Sequence, residues 1–193
     1  MIFRAPPAGW LAALTMMGLQ AIATGAAGTS APTAAVSRAP VGDAVLLAVP
    51  ILAQRPERCG PAALAMVMRF HGAGPAEVAW ADSAYDPVLR GSLITDLAAA
   101  ARRAGFEARA ARLDPDSLIA LLRSGLPPVL LYRRGVGPIS RQHYAVLVGW
   151  DPARDRWTLH DGGHAPRRMS RGDLLSRWSA VGSEALIVRR PSP

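Results

Sequence analysis

Apolar residues recur at helical spacing through the first part of the folded region and at strand spacing through the rest, and this order limits the chain to few architectures. Leu64, Val67, Met68 and His71 follow one another at intervals of three and four. Pro61 suits the first turn of that helix and Gly72 its end. Residues 75–84 predict a short helix before Asp86-Pro87. Ser92 is expected to cap a helix over 93–104, with Leu93, Leu97 and Ala101 on one face and Gly105 as the stop. Asp114-Pro115 opens another, through Leu118, Leu121 and Leu122 to Gly125. Residues 44–52 read as an extended, strand-like segment and 106–113 as an exposed strand. From residue 128 the pattern is mainly β: strands over 128–132, 143–150, 157–161 and 185–189. A Gly/Pro loop is expected over 133–142, a hairpin turn over 151–156, and a short helix from a Ser170/Asp173 capping box. Helices first and an antiparallel sheet after is the α+β class.

The N-terminus points to export. Arg4 precedes an apolar stretch over 10–23, and Ala21-Ile22-Ala23 fits the small-x-small rule of a signal peptide. The stretch is shorter than the roughly 20 apolar residues of a membrane span, so no stable anchor is expected after cleavage. Residues 24–43 are mostly small or turn-forming and read as a flexible leader. Residues 44–193 then form one domain of ordinary size. A periplasmic or secreted location is expected.

All 22 basic residues are arginine against 14 acidic ones, for a net charge of +8. The arginines stand singly or in pairs without interleaved aromatics, so nucleic acid is not an expected partner. A lone cysteine in an exported chain cannot form an internal disulfide, leaving Cys59 either inert in a core or a thiol with a task.

Its context favours the task. The thiolate is the reactive form, and Cys59 opens a helix whose unsatisfied N–H groups attract negative charge. Gly60 would permit close approach of a substrate backbone. A base must reach the sulfur and a third group must orient the base. The 151–156 hairpin brings His143, at the start of one strand, beside Asp161, at the end of the next. The oxyanion needs donors, for which the Cys59 main-chain N–H and the Gln54 amide are candidates. His160 should face away from Asp161 on the strand. With His164 it lacks the cysteine pair or helical histidine pair that would indicate zinc, so no metal or other cofactor is expected. His71 reads as a helix-end histidine favoured by the dipole, and Trp150, Trp157 and Trp178 as packing residues.

VPILAQRPERCGPAALAMVMRFHG (49–72) resembles the front of the bacteriocin-processing, double-glycine type of papain-like cysteine peptidase, in which a glutamine precedes a Cys-Gly pair that opens a helix. HYAVLVGWDPARDRWTLHDGG (143–163) is similar to the family's second motif, and GSLITDLAAAARRAGFEARA (91–110) resembles its stand-alone, exported relatives. The resemblance covers residues 49–190. It implies the papain-like fold, with Cys59 as nucleophile, His143 as base and acid, Asp161 as its orienter and Gln54 in the oxyanion hole. In transporter-linked members the glutamine stands one residue further from the cysteine, and no transporter domains follow here. Cleavage of double-glycine leaders therefore does not carry over. The expected activity is thiol-dependent hydrolysis of a peptide or isopeptide bond in a peptide or protein substrate. A transglutaminase-like acyl transferase shares the Cys, His, Asp order, and a catalytically silent peptide- or polymer-binding module is the third reading.

Overall fold

A computed structural model describes residues 42–191; the expected signal peptide and all but the end of the leader lie outside them. The elements run β1 (Val45–Leu46), α1 (Cys59–Phe70), α2 (Pro75–Ala79), a 3-10 helix (Trp80–Ala84), α3 (Ile94–Arg103), β2 (Glu107–Arg112) and α4 (Pro115–Arg123). β3 (Val129–Arg134), β4 (Arg141–Asp151), β5 (Arg156–His160), β6 (Arg167–Ser170), α5 (Arg171–Ser179) and β7 (Glu184–Arg189) follow.

One antiparallel sheet of order β2-β7-β3-β4-β5-β6 forms the centre, with β1 paired to the far end of β4. Strand alternation divides the apolar residues between its two faces. Val129, Val146, Val148, Leu186 and Val188 meet α1 and α3 on one side. Leu130, Ala145, Leu147, Leu159 and Ala185 meet α4 and α5 on the other, together with buried Trp150, Trp157 and Trp178. The α+β class holds, with helices on both faces rather than confined to the first half.

α1 is the central helix. Leu64, Met66, Val67 and Met68 are fully buried, each stabilising by roughly 1.5–3 kcal/mol through removal from water. Packing therefore fixes its position without help from a cap: Arg58 at the N-cap makes no side-chain cap bond, and no acidic residue lies in the first turn. Alanines at 98, 100 and 101 bring α3 close to this core. Asp114 caps α4 by accepting from the Ser117 N–H at 2.8 Å, and Ser170 caps α5 by accepting from the Asp173 N–H at 3.2 Å.

Several expectations need correction. Ser92 does not cap α3: Leu93 holds that position without a side-chain bond, and the Ser92 hydroxyl is buried without a partner. The strand expected over 44–52 shortens to β1, although Leu47 N–H still donates to Val148 C=O at 2.8 Å. β1 approaches so closely that a Cβ on Gly149 would lie 2.8 Å from the Val45 carbonyl oxygen. The loop expected over 133–142 shortens to 135–140, with a 3-10 turn over Gly137–Ile139, since Arg133 pairs with Gln142 and Arg134 with Arg141. Arg177 of α5 pins that tightened hairpin by donating to the Gly135 carbonyl at 2.7 Å. His71 is not a charged helix-end residue: burial lowers its pKa, and its Nε2 is buried without a partner. β6 was not anticipated; its RRMS sequence has only Met169 buried and carries little strand signal.

Candidate active site

A cleft of about 870 Å³ opens at the start of α1, and Gln54, Cys59, His143 and Gly162 all line it. Cys59 is half-buried, at the helix end whose first-turn N–H groups lack a side-chain cap. Gly60 plays a different part from the one expected. A Cβ there would meet Ser92 at 3.1 Å and Tyr144 at 3.2 Å, so the glycine lets α1 sit against protein rather than against substrate. The Tyr144 hydroxyl donates to the Ser92 carbonyl at 3.2 Å. Burial, and secondarily the nearby Cys59, push the Tyr144 pKa upward.

His143 is the third residue of β4 and pairs with Tyr132 of β3. The two rings meet edge to face, 5.9 Å between centroids. The β4–β5 register pairs Val146 with His160, which sets Asp161 one position beyond the ladder. β5 stops at His160, so no ladder bond occupies the Asp161 carbonyl. It instead faces His143 Nε2 at 2.8 Å and Arg134 Nη1 at 3.1 Å. Since a carbonyl only accepts, Nε2 must carry the proton, and Nδ1 is left as the basic nitrogen.

The Asp161 carboxylate is engaged elsewhere. Its Oδ2 accepts from the Tyr132 hydroxyl at 3.2 Å and from Arg167 at 3.3 Å, and Arg134 Nε lies 3.7 Å away. Asp161 is therefore brought to His143, but through its main chain, while its buried side chain ties together three neighbours. Among the described residues no hydrogen bond joins the Cys59 sulfur to His143, although both open onto the cleft. Free sites often close such bonds only with substrate in place.

Burial lowers the His143 pKa most. The Asp161 carbonyl bond raises it, and the Arg134 cation, 3.4 Å away, lowers it again. The net direction is down, so the imidazole is neutral at ordinary pH. His160 takes the opposite course to Asp161, buried with its Nδ1 unpartnered and its pKa lowered by burial.

Gln54 stands against Gly162. Its Nε2 is buried and has no hydrogen-bond partner, an arrangement that costs about 1–3 kcal/mol unless a ligand acceptor relieves it. A Cβ on Gly162 would come within 2.2 Å of Gln54 Oε1, and Gly162 has φ +94°. Both facts call for glycine there.

Tyr132, Arg134, Arg167 and Gly162 were not singled out by the sequence reading. A signal for the first two was present: had the 128–132 strand been carried on to Arg134, alternation would have set Tyr132 and Arg134 on one face. Arg167 had no comparable signal, because β6 itself was not foreseen.

The sequence profile of the peptidase C39 family matches residues 48–192. Among solved structures, a C39-like peptidase from Bacillus anthracis is similar over 79% of this chain and 100% of its own, at 17% identity and a TM-score of 0.65. A double glycine motif protease from an AMS/PCAT transporter, solved with its leader peptide, is similar over 76% and 95% at 20% identity, with a TM-score of 0.59. The peptidase domain of Streptococcus ComA, a bifunctional ABC transporter of a quorum sensing pathway, covers 74% and 99% at 21% identity and a TM-score of 0.58. These likenesses agree with the papain-like fold. No curated protein matches the chain.

Proposed function

This chain belongs to the peptidase C39 family and is a cysteine peptidase; we propose that it hydrolyses peptide or isopeptide bonds outside the cytoplasm, with Cys59, His143, Asp161 and Gln54 as its machinery. One observation carries the reading: Cys59 and His143 open onto one cleft, with Nε2 of the histidine held on the Asp161 carbonyl.

In this reading His143 Nδ1 takes the thiol proton as Cys59 Sγ bonds to the substrate carbonyl carbon. The carbonyl π electrons move to oxygen, which is met by the Cys59 N–H and the Gln54 amide. Collapse breaks the C–N bond, His143 gives its proton to the leaving amine, and a thioester remains. Water then attacks with His143 as base, releasing the acid and restoring the thiol. Asp161 keeps the ring in one tautomer through its carbonyl, and its carboxylate holds the loop that presents that carbonyl. Product analysis with added amine separates hydrolysis from transfer. The acid is expected throughout; an amine adduct as main product would move the chain to the transferase reading.

The unpartnered Gln54 amide supports its place in the oxyanion hole. Gln54→Ala is expected to lower kcat by about 10²–10³-fold with KM little changed. Gly162→Ala should displace Gln54 and approach the same loss. The double variant should lose less than the product of the two single losses, because the displacement of Gln54 is shared while the strain of alanine at φ +94° remains. Additive losses in steady-state kinetics would separate the two residues.

Export rests on the N-terminal pattern alone. Sequencing of the protein recovered from the envelope or medium is expected to begin at Thr24, and recovery of intact residues 1–23 would refute cleavage there.

A further inference from the structure

The cleft carries a charge pattern that the hydrolytic chemistry does not require. Four arginines line it, Arg55, Arg90, Arg134 and Arg141, against one carboxylate, Glu57. Three of the four are spoken for. Arg55 pairs with Asp82 at 2.7 Å, Arg90 with Glu57, and Arg134 with Asp161 at 3.7 Å. Arg141 has no carboxylate partner among the described residues.

Its position gives the unpaired charge a direction. Arg141 is the first residue of β4, two before His143 on the same face by strand alternation. Its charge is also felt at Glu57, whose pKa is lowered mainly by the Arg90 contact and to a smaller extent by Arg141. Glu57 precedes Cys59 by two residues, and both line the cleft together with Arg141 and His143. Glu57 is already held by Arg90 and by the Tyr85 hydroxyl at 3.1 Å. Leu89, Leu93 and Ile139 are exposed on the same rim.

We propose that this cleft selects peptide segments bearing an acidic side chain next to apolar ones, with Arg141 as the residue that determines the preference for Asp or Glu. The proposal rests on the peptidase reading above for the identity of the cleft. An arginine offers a carboxylate two parallel N–H donors, which adds geometric selection to charge attraction. Opposite charges steer the encounter, and like charges across the cleft work against a basic segment.

The test is a binding measurement on the full chain carrying Cys59→Ala, which needs no turnover. Three dye-labelled peptides, alike in an alanine, glycine and leucine background except for one Glu, Gln or Lys, are titrated by fluorescence anisotropy. The Glu peptide is expected to bind about tenfold more tightly than the Lys peptide at low salt, with the gap narrowing at 0.5 M salt as screening shortens the reach of the charge. Arg141→Gln should remove the preference and Arg141→Glu should invert it. Equal affinities for the three peptides would overturn the proposal, as would a Glu preference that survives Arg141→Glu. Failure of the peptidase reading shows separately, as wild-type turnover that survives Cys59→Ala.

Discussion

Replacing Cys59 by alanine is expected to lower peptide turnover by on the order of 10⁶-fold, the scale seen when a covalent nucleophile is removed. The size follows from what is lost. Without the thiolate no thioester forms, and the two easier steps revert to one difficult attack by water. The oxyanion donors and the binding surface remain, so a trace of rate above background persists. Because Cys59 is the only cysteine, labelling by a thiol-reactive peptide should vanish along with turnover. Folding is not the confounder here. Cys59 is half-buried at the first position of α1, whose place is set by Leu64, Met66, Val67 and Met68. Thermal unfolding of the variant should therefore stay near that of the parent. Turnover within tenfold of wild type, measured alongside that control, would remove Cys59 from the mechanism.

The second large effect concerns His143. His143→Ala is expected to lower kcat by about 10⁴-fold or more, since both the thiol proton and the leaving amine lose their partner. The pH profile adds a signature that no folding defect reproduces. Burial and the Arg134 cation lower the His143 pKa, so the neutral base survives to lower pH than an ordinary imidazole does. The acid limb of kcat/KM is thus expected below pH 6.5. Arg134→Met removes a cation that disfavours the protonated ring, so the histidine pKa rises and the limb moves toward higher pH. A limb that stays in place, or moves down, would contradict the assignment. Asp161→Asn keeps the carbonyl that accepts from Nε2 and alters only the carboxylate bound to Tyr132 and Arg167. Its loss should be tens-fold, well short of the roughly 10⁴-fold expected where the carboxylate itself orients the imidazole.

The elements whose packing is written in their own local pattern were legible from sequence. α4 places buried Leu118 and Leu122 one helical turn apart, whereas α1 and β4 are continuous buried runs made legible by their length and their Pro, Gly or Asp boundaries. Cys59 and His143 could be read because they stand at such boundaries. What escaped depends on contacts between segments far apart in the chain. The stop of β5 at His160 frees the Asp161 carbonyl, and no local pattern distinguishes a carbonyl inside a ladder from one beyond it. The sequence alone suggests an opening for substrate at Gly60, because its neighbours Ser92 and Tyr144 lie far along the chain, before α3 and on β4. Ser92 looked like a cap for the same reason: its residue type fits, but tertiary packing turns the hydroxyl inward. Arg167 sits on β6, whose four residues Arg167, Arg168, Met169 and Ser170 show almost no strand pattern of their own.

The most direct measurement of the account is intact-mass analysis of wild-type protein quenched during turnover of a slowly deacylating peptide ester. The expected species is the protein plus the acyl portion of the substrate, mapped to the fragment containing Cys59 and discharged by hydroxylamine as a thioester is. Product formation at an unchanged rate with no such adduct, and with equal rates from Cys59→Ala protein, would contradict covalent catalysis by Cys59.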